Sequence, residues 1–372
     1  ADVGGAGRHG GHGGDLMEWI NNLTPTQQFA LFSLVKIGIA VFAVVLPMVA
    51  YSVVAERRVS AWIQDRVGPN RVGIPFTNIK LWGLGQPAAD GVKFILKEDF
   101  TPAHVRKVYF WLAPAVAMVP ALLTLAVIPF GSNLGSQQAV IADLNVGILY
   151  TFGIVSLGVY GIVLAGYASN SKYPFLGGIR SSAQMISYEI AMGMSVVPVF
   201  MLVGDLNLGK VIAYQADGAW LVFKQPLAFI IFLIAAFAET NRLPFDLPES
   251  ETELVGGYHT EYSSMKFALF FLGEYAAMIA VSAMMVVLFL GGWTLPIAGL
   301  DAPAETLAVG LLQVGIFIGK LLLFMGLFIW VRWMLPRFRY DQLMDIGWKR
   351  FVPLALANII VTAIVLYFLN AK

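Results

Sequence analysis

Residues Met265–Leu290 read MKFALFFLGEYAAMIAVSAMMVVLFL, an apolar run broken only by Lys266 near its start and Glu274 within it. At about 1.5 Å of rise per residue, a helix of this length crosses a hydrocarbon core of about 30 Å. Comparable runs are Phe29–Val54, Val108–Phe130, Val146–Ala168, Ala183–Val203, Leu221–Thr240, Leu307–Met334 and Val352–Leu369, so about eight spans are predicted. In lipid the backbone must satisfy its own hydrogen bonds, and none of these runs alternates with the period of a barrel strand. The expected fold class is therefore all-α, a polytopic transmembrane helical bundle.

Composition agrees. Of 372 residues, 58% are hydrophobic and only 13% charged, with a mean hydropathy of +0.74, more apolar surface than a soluble domain of this length buries. The loops after spans one, three, five and seven hold 18 of the 24 Lys/Arg residues. By the positive-inside rule they face the cytoplasm, which puts both termini on the outer side. A bacterial plasma (inner) membrane is expected rather than an organelle. The net charge of +1 and the lack of a basic module exclude a nucleic-acid partner.

The first fourteen residues, glycine-rich around His9 and His12, cannot build a core, and the segment up to residue 28 is short. They are expected to form a mobile tail and a short outer-surface segment, with residues 29–372 as one integral membrane domain. No cysteine is present, which excludes disulfides and cysteine-ligated iron–sulfur clusters on this chain. Gly83, Gly85 and Gly91 do not complete a dinucleotide fingerprint. No metal site and no covalently bound cofactor are expected.

The chemistry concentrates beside the fifth span. There Glu239, Asp246, Glu249, Glu251, Glu253 and Glu261 surround a single arginine, Arg242. Crowded carboxylates push one another's pKa values upward and make protons exchangeable near neutral pH. Counted from the span starts at Ala183 and near Met265, Glu189 and Glu274 fall at matching depths of roughly 12 to 14 Å. Intramembrane carboxylates face protein or water and mark proton paths. Lys320, roughly 21 Å inward on the seventh span, reads equally as a relay member or a structural counter-ion. Lys36 is expected to snorkel. In the first long loop, Pro87 opens a short amphipathic surface helix, with Ala88, Val92, Ile95 and Leu96 on one face and Asp90, Lys93 and Lys97 on the other.

Six separated motifs carry a resemblance across nearly the whole chain: Arg57–Gly73, Asp90–Glu98, Ala168–Tyr173, Ile186–Glu189, the acidic run Glu239–Glu253, and Pro336–Met344. They resemble the family of quinone-chamber membrane subunits of proton-pumping NADH:quinone oxidoreductase, the type I NADH dehydrogenase or respiratory complex I. The resemblance implies a membrane protein that helps form a quinone chamber and couples quinone reduction to proton translocation through the acids. It implies Glu56, Arg57, Asp90 and Lys93 as chamber candidates, quinone as substrate, and FMN and iron–sulfur clusters on partner subunits. The implied partners are peripheral quinone-site subunits, small membrane subunits and lipid. Two alternatives stay open, a membrane subunit of a related hydrogenase or formate complex and a free-standing cation/proton antiporter.

Overall fold

A computed structural model of the chain describes residues 24–73, 77, 82–135, 137–296 and 300–370. Most of the glycine-rich tail, His9 and His12 included, lies outside the described residues. Thr24 starts the first helix. Its hydroxyl accepts from the Gln27 amide while the Gln27 side chain accepts from the Thr24 amide, and Pro25 takes a first-turn position that needs no N–H. Helix α1 then runs through Pro25–Gly38, a π-helical Ile39–Val45 and Leu46–Ile63.

The short α2 (Gln86–Leu96) precedes α3 (Lys107–Thr124), a two-residue hairpin pairing Asn133–Leu134 with Gln137–Gln138, α4 (Gly147–Ala168) and α5 (Lys172–Val203). Next come α6 (Leu208–Ala216), α7 (Pro226–Glu239), α8 (Ser264–Phe289) and α9 (Leu307–Met334). The last helix, α10, joins Tyr340–Asp345, a π-helical Ile346–Phe351 and Val352–Asn370. Among the described residues seven helices are long and apolar enough to cross a membrane, and α7 is a shorter apolar one. The chain is a multi-pass helical membrane protein.

Three boundaries differ from expectation. The fourth span begins at Lys172 rather than Ala183, because the helix continues through polar residues once it leaves lipid. The last begins at Tyr340 rather than Val352 for the same reason. The fifth is broken at Pro226, which lacks an N–H: a turn at Leu221–Lys224 precedes α7. The Gln225 side chain at this break donates to Thr362 and accepts from Asn358 of α10, which keeps its polar atoms paired.

Helix α8 is apolar on nearly every side and forms the centre of the core, its inner half buried from Tyr275 to Phe289 apart from Ala277. Around it the other helices pack through small residues. A Cβ on Gly161 of α4 would lie 2.4 Å from the Ala117 backbone nitrogen of α3, so these helices cross with no side chain between them. Replacing Gly161 by Leu should destabilise the detergent-solubilised protein by about 3 kcal/mol, the upper end for overpacking, because backbone cannot yield. Gly153→Leu on the same helix meets nothing within 4 Å of its Cβ and should be near neutral. Thermal denaturation midpoints of the two variants check this.

Candidate functional site

Two cavities and a chain of charges define the site. The larger, about 760 Å³, lies between α1, α2, the start of α8 and the end of α9. Glu56, Arg57, Asp90 and Lys93 all line it, with Phe94, Phe267, Phe271 and Tyr275 supplying aromatic wall. Arg57 Nη1 lies 2.8 Å from Asp90 Oδ2, and Lys93 Nζ 3.6 Å from Asp90 Oδ1, which also accepts from Gln86 at 3.2 Å. These charges fasten α2 to α1. The helix presents its charged side and Phe94 to the chamber, whereas Val92, Ile95 and Leu96 stay exposed on the outside.

Glu56 sits where the chamber meets the core. Its Oε2 accepts from Arg242 Nη1 at 3.0 Å and from the Tyr275 hydroxyl at 2.6 Å, and Arg332 binds Oε1. Arg242 passes the connection on. Its Nε lies 2.7 Å from Glu274 Oε1, an ion pair outside hydrogen-bond alignment, and its guanidinium stacks 4.4 Å from the Tyr275 ring centroid. Burial opposes the Arg242 charge, but Glu274 and Glu56 together hold the guanidinium protonated well above its ordinary range.

Beyond Glu274 lies the smaller cavity, about 80 Å³, enough for water. Glu239, Glu249 and Glu274 line it together with Tyr258 and Asn241, and its far end runs apolar between α3, α4 and α8. Neither Glu239 oxygen has a hydrogen-bond partner among the described residues. Burial, then the charges of Glu274 and Asp246, push the Glu249 carboxyl well above the usual range, against the pull of Arg242 and Arg332. Burial also raises Asp246 to about 6 although Arg337 Nη2 pairs with it at 2.9 Å. His259 Nδ1 stands 3.6 Å from Glu249 Oε1, and burial lowers its imidazole to about 4, so it is neutral at pH 7.

The loop holding these acids is folded tightly onto α5. The Gln184 side-chain amide donates to the carbonyls of Ala238 and Phe245 at 2.8 and 2.7 Å and to Asn241 Oδ1 at 3.2 Å. Gly177 permits the approach: a Cβ there would meet the Tyr258 nitrogen at 2.8 Å and the Pro248 carbonyl at 2.9 Å. Within the loop Asn241, Ser250 and Val255 take positive φ, a strained arrangement of the kind that clusters at functional sites.

Comparison with known proteins gives this geometry a family. Residues 36–363 match the NADH dehydrogenase family. A Cytophaga hutchinsonii protein named as a subunit of NADH-quinone oxidoreductase is 51% identical over 330 residues, covering 87% of this chain and 93% of the relative. A Geobacter metallireducens protein of the same name is 51% identical over 348 residues, covering 92% of this chain and 99% of the relative. The corresponding NADH-quinone oxidoreductase subunit of Flavobacterium johnsoniae is 47% identical over 336 residues, 88% of this chain and 93% of the relative. The chain belongs to the NADH dehydrogenase family.

Within this family member the predicted residues separate into groups. Glu239, Glu249 and Glu274 share the small cavity, Asp246 acts on Glu249 through its charge and feels that of Glu274, and Glu189 acts on Glu239. Glu189 is held by the Ser156 hydroxyl. Its count from the helix start no longer matches that of Glu274, because α5 begins at Lys172. Glu253 is half exposed and paired with Arg180 at 2.6 Å, and Glu261 is partly buried and outside both cavities. The Glu251 side chain lies outside the described residues.

Lys320 stands apart from the acids. Its ammonium donates to the carbonyls of Leu290, Gly292 and Thr294 at 2.6, 2.9 and 2.6 Å, closing the end of α8, and lies 4.7 Å from the Trp220 ring centroid. Sequence reasoning missed Arg332, Arg337, Tyr258 and His259 as members of the site. The available signals were the two arginines flanking the short loop around Pro336 and the tyrosine–histidine pair within the acidic stretch.

Asp246 offers a direct titration. Its folded value lies above the ordinary carboxylate value, so ionising it costs stability as pH rises from about 4 to about 6. A protonated carboxyl infrared band should disappear with a midpoint near pH 6 and be missing from Asp246→Asn. A band unaffected by that substitution would assign the titration elsewhere.

Proposed function

We propose that the chain is the membrane subunit of an NADH:quinone oxidoreductase that receives the quinone and converts its reduction into proton translocation. The observation that carries this reading is the continuous line Glu56–Arg242–Glu274, which joins a chamber with aromatic walls to a cavity lined by carboxylates without enough cations to neutralise them. The relatives' names supply the redox partners of the reaction.

In this reading the quinone head group enters beside Arg57 and Lys93, and the aromatic wall takes the apolar part. Electrons arrive from FMN and iron–sulfur clusters on partner subunits. Negative charge appearing on the quinone competes with Glu56 for Arg332 and Arg242. Arg242 then neutralises the carboxylates behind it less well, so a proton on Glu249 becomes more favourable. Two protons drawn from water on the cytoplasmic side convert the reduced quinone to quinol and remove that charge, which restores Arg242, and the proton on Glu249 passes through Glu274 and Glu239 toward Glu189. Lys320, Glu253 and Glu261 have no part in this path. The arginine-rich helix ends face the cytoplasm of a bacterial cell, both termini face outward, and residues 29–372 act as one membrane domain beside peripheral and small membrane subunits.

Glu239→Gln and Glu274→Gln retain size and hydrogen bonding but remove the titrating proton. In the intact complex each should lower inhibitor-sensitive NADH:quinone activity and its coupled proton uptake at least about tenfold. NADH oxidation by a hydrophilic acceptor and the amount of assembled complex should be unchanged in Glu239→Gln, whose oxygens have no partner to lose among the described residues; in Glu274→Gln, which takes one counter-charge from Arg242, activity is measured per assembled complex. Undiminished quinone-linked pumping in both variants would overturn the relay.

The chamber has its own test. Phe94 faces the cavity, whereas Val92 points away. Phe94→Ala should raise the apparent KM for long-tailed quinones several-fold more than for short soluble ones, and Val92→Trp should change neither. Equal effects of Phe94→Ala on both substrate classes would place the tail elsewhere.

A further inference from the structure

Lys36 is a charge in a spanning helix that has no counter-charge among the described residues. Its Nζ makes one hydrogen bond, 3.3 Å to the Val140 carbonyl, and no ion pair among the described residues. Two other lysines inside spanning helices are matched: Lys266 has Asp99 and Thr101 at 2.9 and 2.8 Å, and Lys320 has three carbonyls. An ammonium has three donors, so Lys36 keeps two to offer. An unmatched ionisable group within a membrane helix calls for a counter-charge.

The surroundings say what brings it. Lys36 opens onto a groove of about 290 Å³ between α1, the hairpin and α9, walled by Phe32, Ile39, Val44, Phe130, Val314 and Ile318. Its remaining polar side chains, Gln137 and Gln138, are neutral. Leu34, Val35, Ile39 and Phe42 are at least half exposed, so this part of α1 meets the surrounding lipid more than the bundle. Residues 37–55 carry no charge, and the distance along α1 from Lys36 to Arg57 is about 31 Å at 1.5 Å per residue, one hydrocarbon thickness. Lys36 therefore stands at the level of lipid phosphates at the Thr24 end of α1, while Arg57 stands at the opposite boundary.

We propose that this groove binds one anionic glycerophospholipid of the leaflet at the Thr24 end of α1, its phosphate on Lys36 and an acyl chain between α1 and α9. An anionic lipid fits better than a zwitterionic one. Among the described residues the groove offers no carboxylate to receive a choline or ethanolamine ammonium, and a net negative headgroup answers the lysine charge. The inference needs membrane insertion alone and is independent of the catalytic reading above.

The intact complex would be reconstituted in dioleoylphosphatidylcholine vesicles doped with phosphatidylglycerol carrying a photoreactive group in one acyl chain, with the equivalent phosphatidylcholine probe in parallel. Labelling of residues 32–44 and 130–141 should favour phosphatidylglycerol about fivefold. Lys36→Gln should bring the two probes to parity, Lys36→Arg should keep the preference, and Val314→Trp should abolish labelling by filling the groove. NADH oxidation by a hydrophilic acceptor reports that the variants assemble. Equal labelling by both probes in the unaltered complex would reduce the site to ordinary boundary lipid, and no labelling of these segments would mean that a protein segment covers them. Either outcome overturns the proposal.

Discussion

Arg242 is the fixed point around which the functional half of the molecule is arranged. A guanidinium this deeply buried costs several kcal/mol to desolvate, and it persists because Glu56 and Glu274 meet it from opposite sides. Those contacts join α1, α8 and the acidic loop, and Arg332 adds α9 through Glu56. Two cations thus answer two carboxylates. Removing one member of such a set leaves an unpaired buried charge, typically at a cost of about 3 to 5 kcal/mol, which locks the helices together near the chamber. The same neutrality leaves nothing over for Glu239 and Glu249, and this deficit of positive charge makes the smaller cavity chemically responsive.

Responsiveness requires that the carboxylates stay close although they repel. Contacts from outside the carboxylate cluster hold them. Gln184 fastens the loop at three points, and glycines at 177 and 257 let it lie directly on α5 and on itself, where a Cβ at Gly257 would overlap the Pro248 carbonyl at 1.7 Å. Arg337 takes Asp246 while its other nitrogen reaches Ser250 and Thr252. Glu249 is therefore presented to the cavity by a rigid frame, with burial and neighbouring charge raising its carboxyl well above the usual range.

The residues explain how much of this was legible in the chain. Glu274 and Glu189 stand out because each is one carboxylate in an apolar run, and the loop acids because of their density. Helix limits were legible only where lipid sets them. At Lys172 and Tyr340 the helix continues into polar sequence that a hydropathy argument assigns to loop, and this displaced the depth assigned to Glu189. Pairings across the fold were illegible in principle, since Arg332 and Glu56 are separated by 276 positions and no local spacing connects them. Lys320 shows the converse: its place in an apolar helix was plain, but the three carbonyls that occupy it come from the end of another helix.

The amphipathic pattern of α2 is plain in the sequence, yet periodicity gives two faces without saying which one looks inward. For a soluble helix the apolar face would pack on protein. Here Val92, Ile95 and Leu96 turn outward, away from the bundle, and Asp90 turns inward to Arg57. That inversion brings charge to the chamber wall. The Arg57–Asp90–Lys93 group carries one more positive than negative charge and is partly open to water, so an arriving polar head group can exchange for its solvent at little cost. Glu56, one residue along α1 and already saturated by Arg242, Arg332 and Tyr275, cannot make that exchange without disturbing the buried cluster. Adjacent positions on one helix therefore differ in kind: Arg57 belongs to a partly open ion-pair group on the cavity wall, and Glu56 is tied through Arg242 to Glu274 behind it.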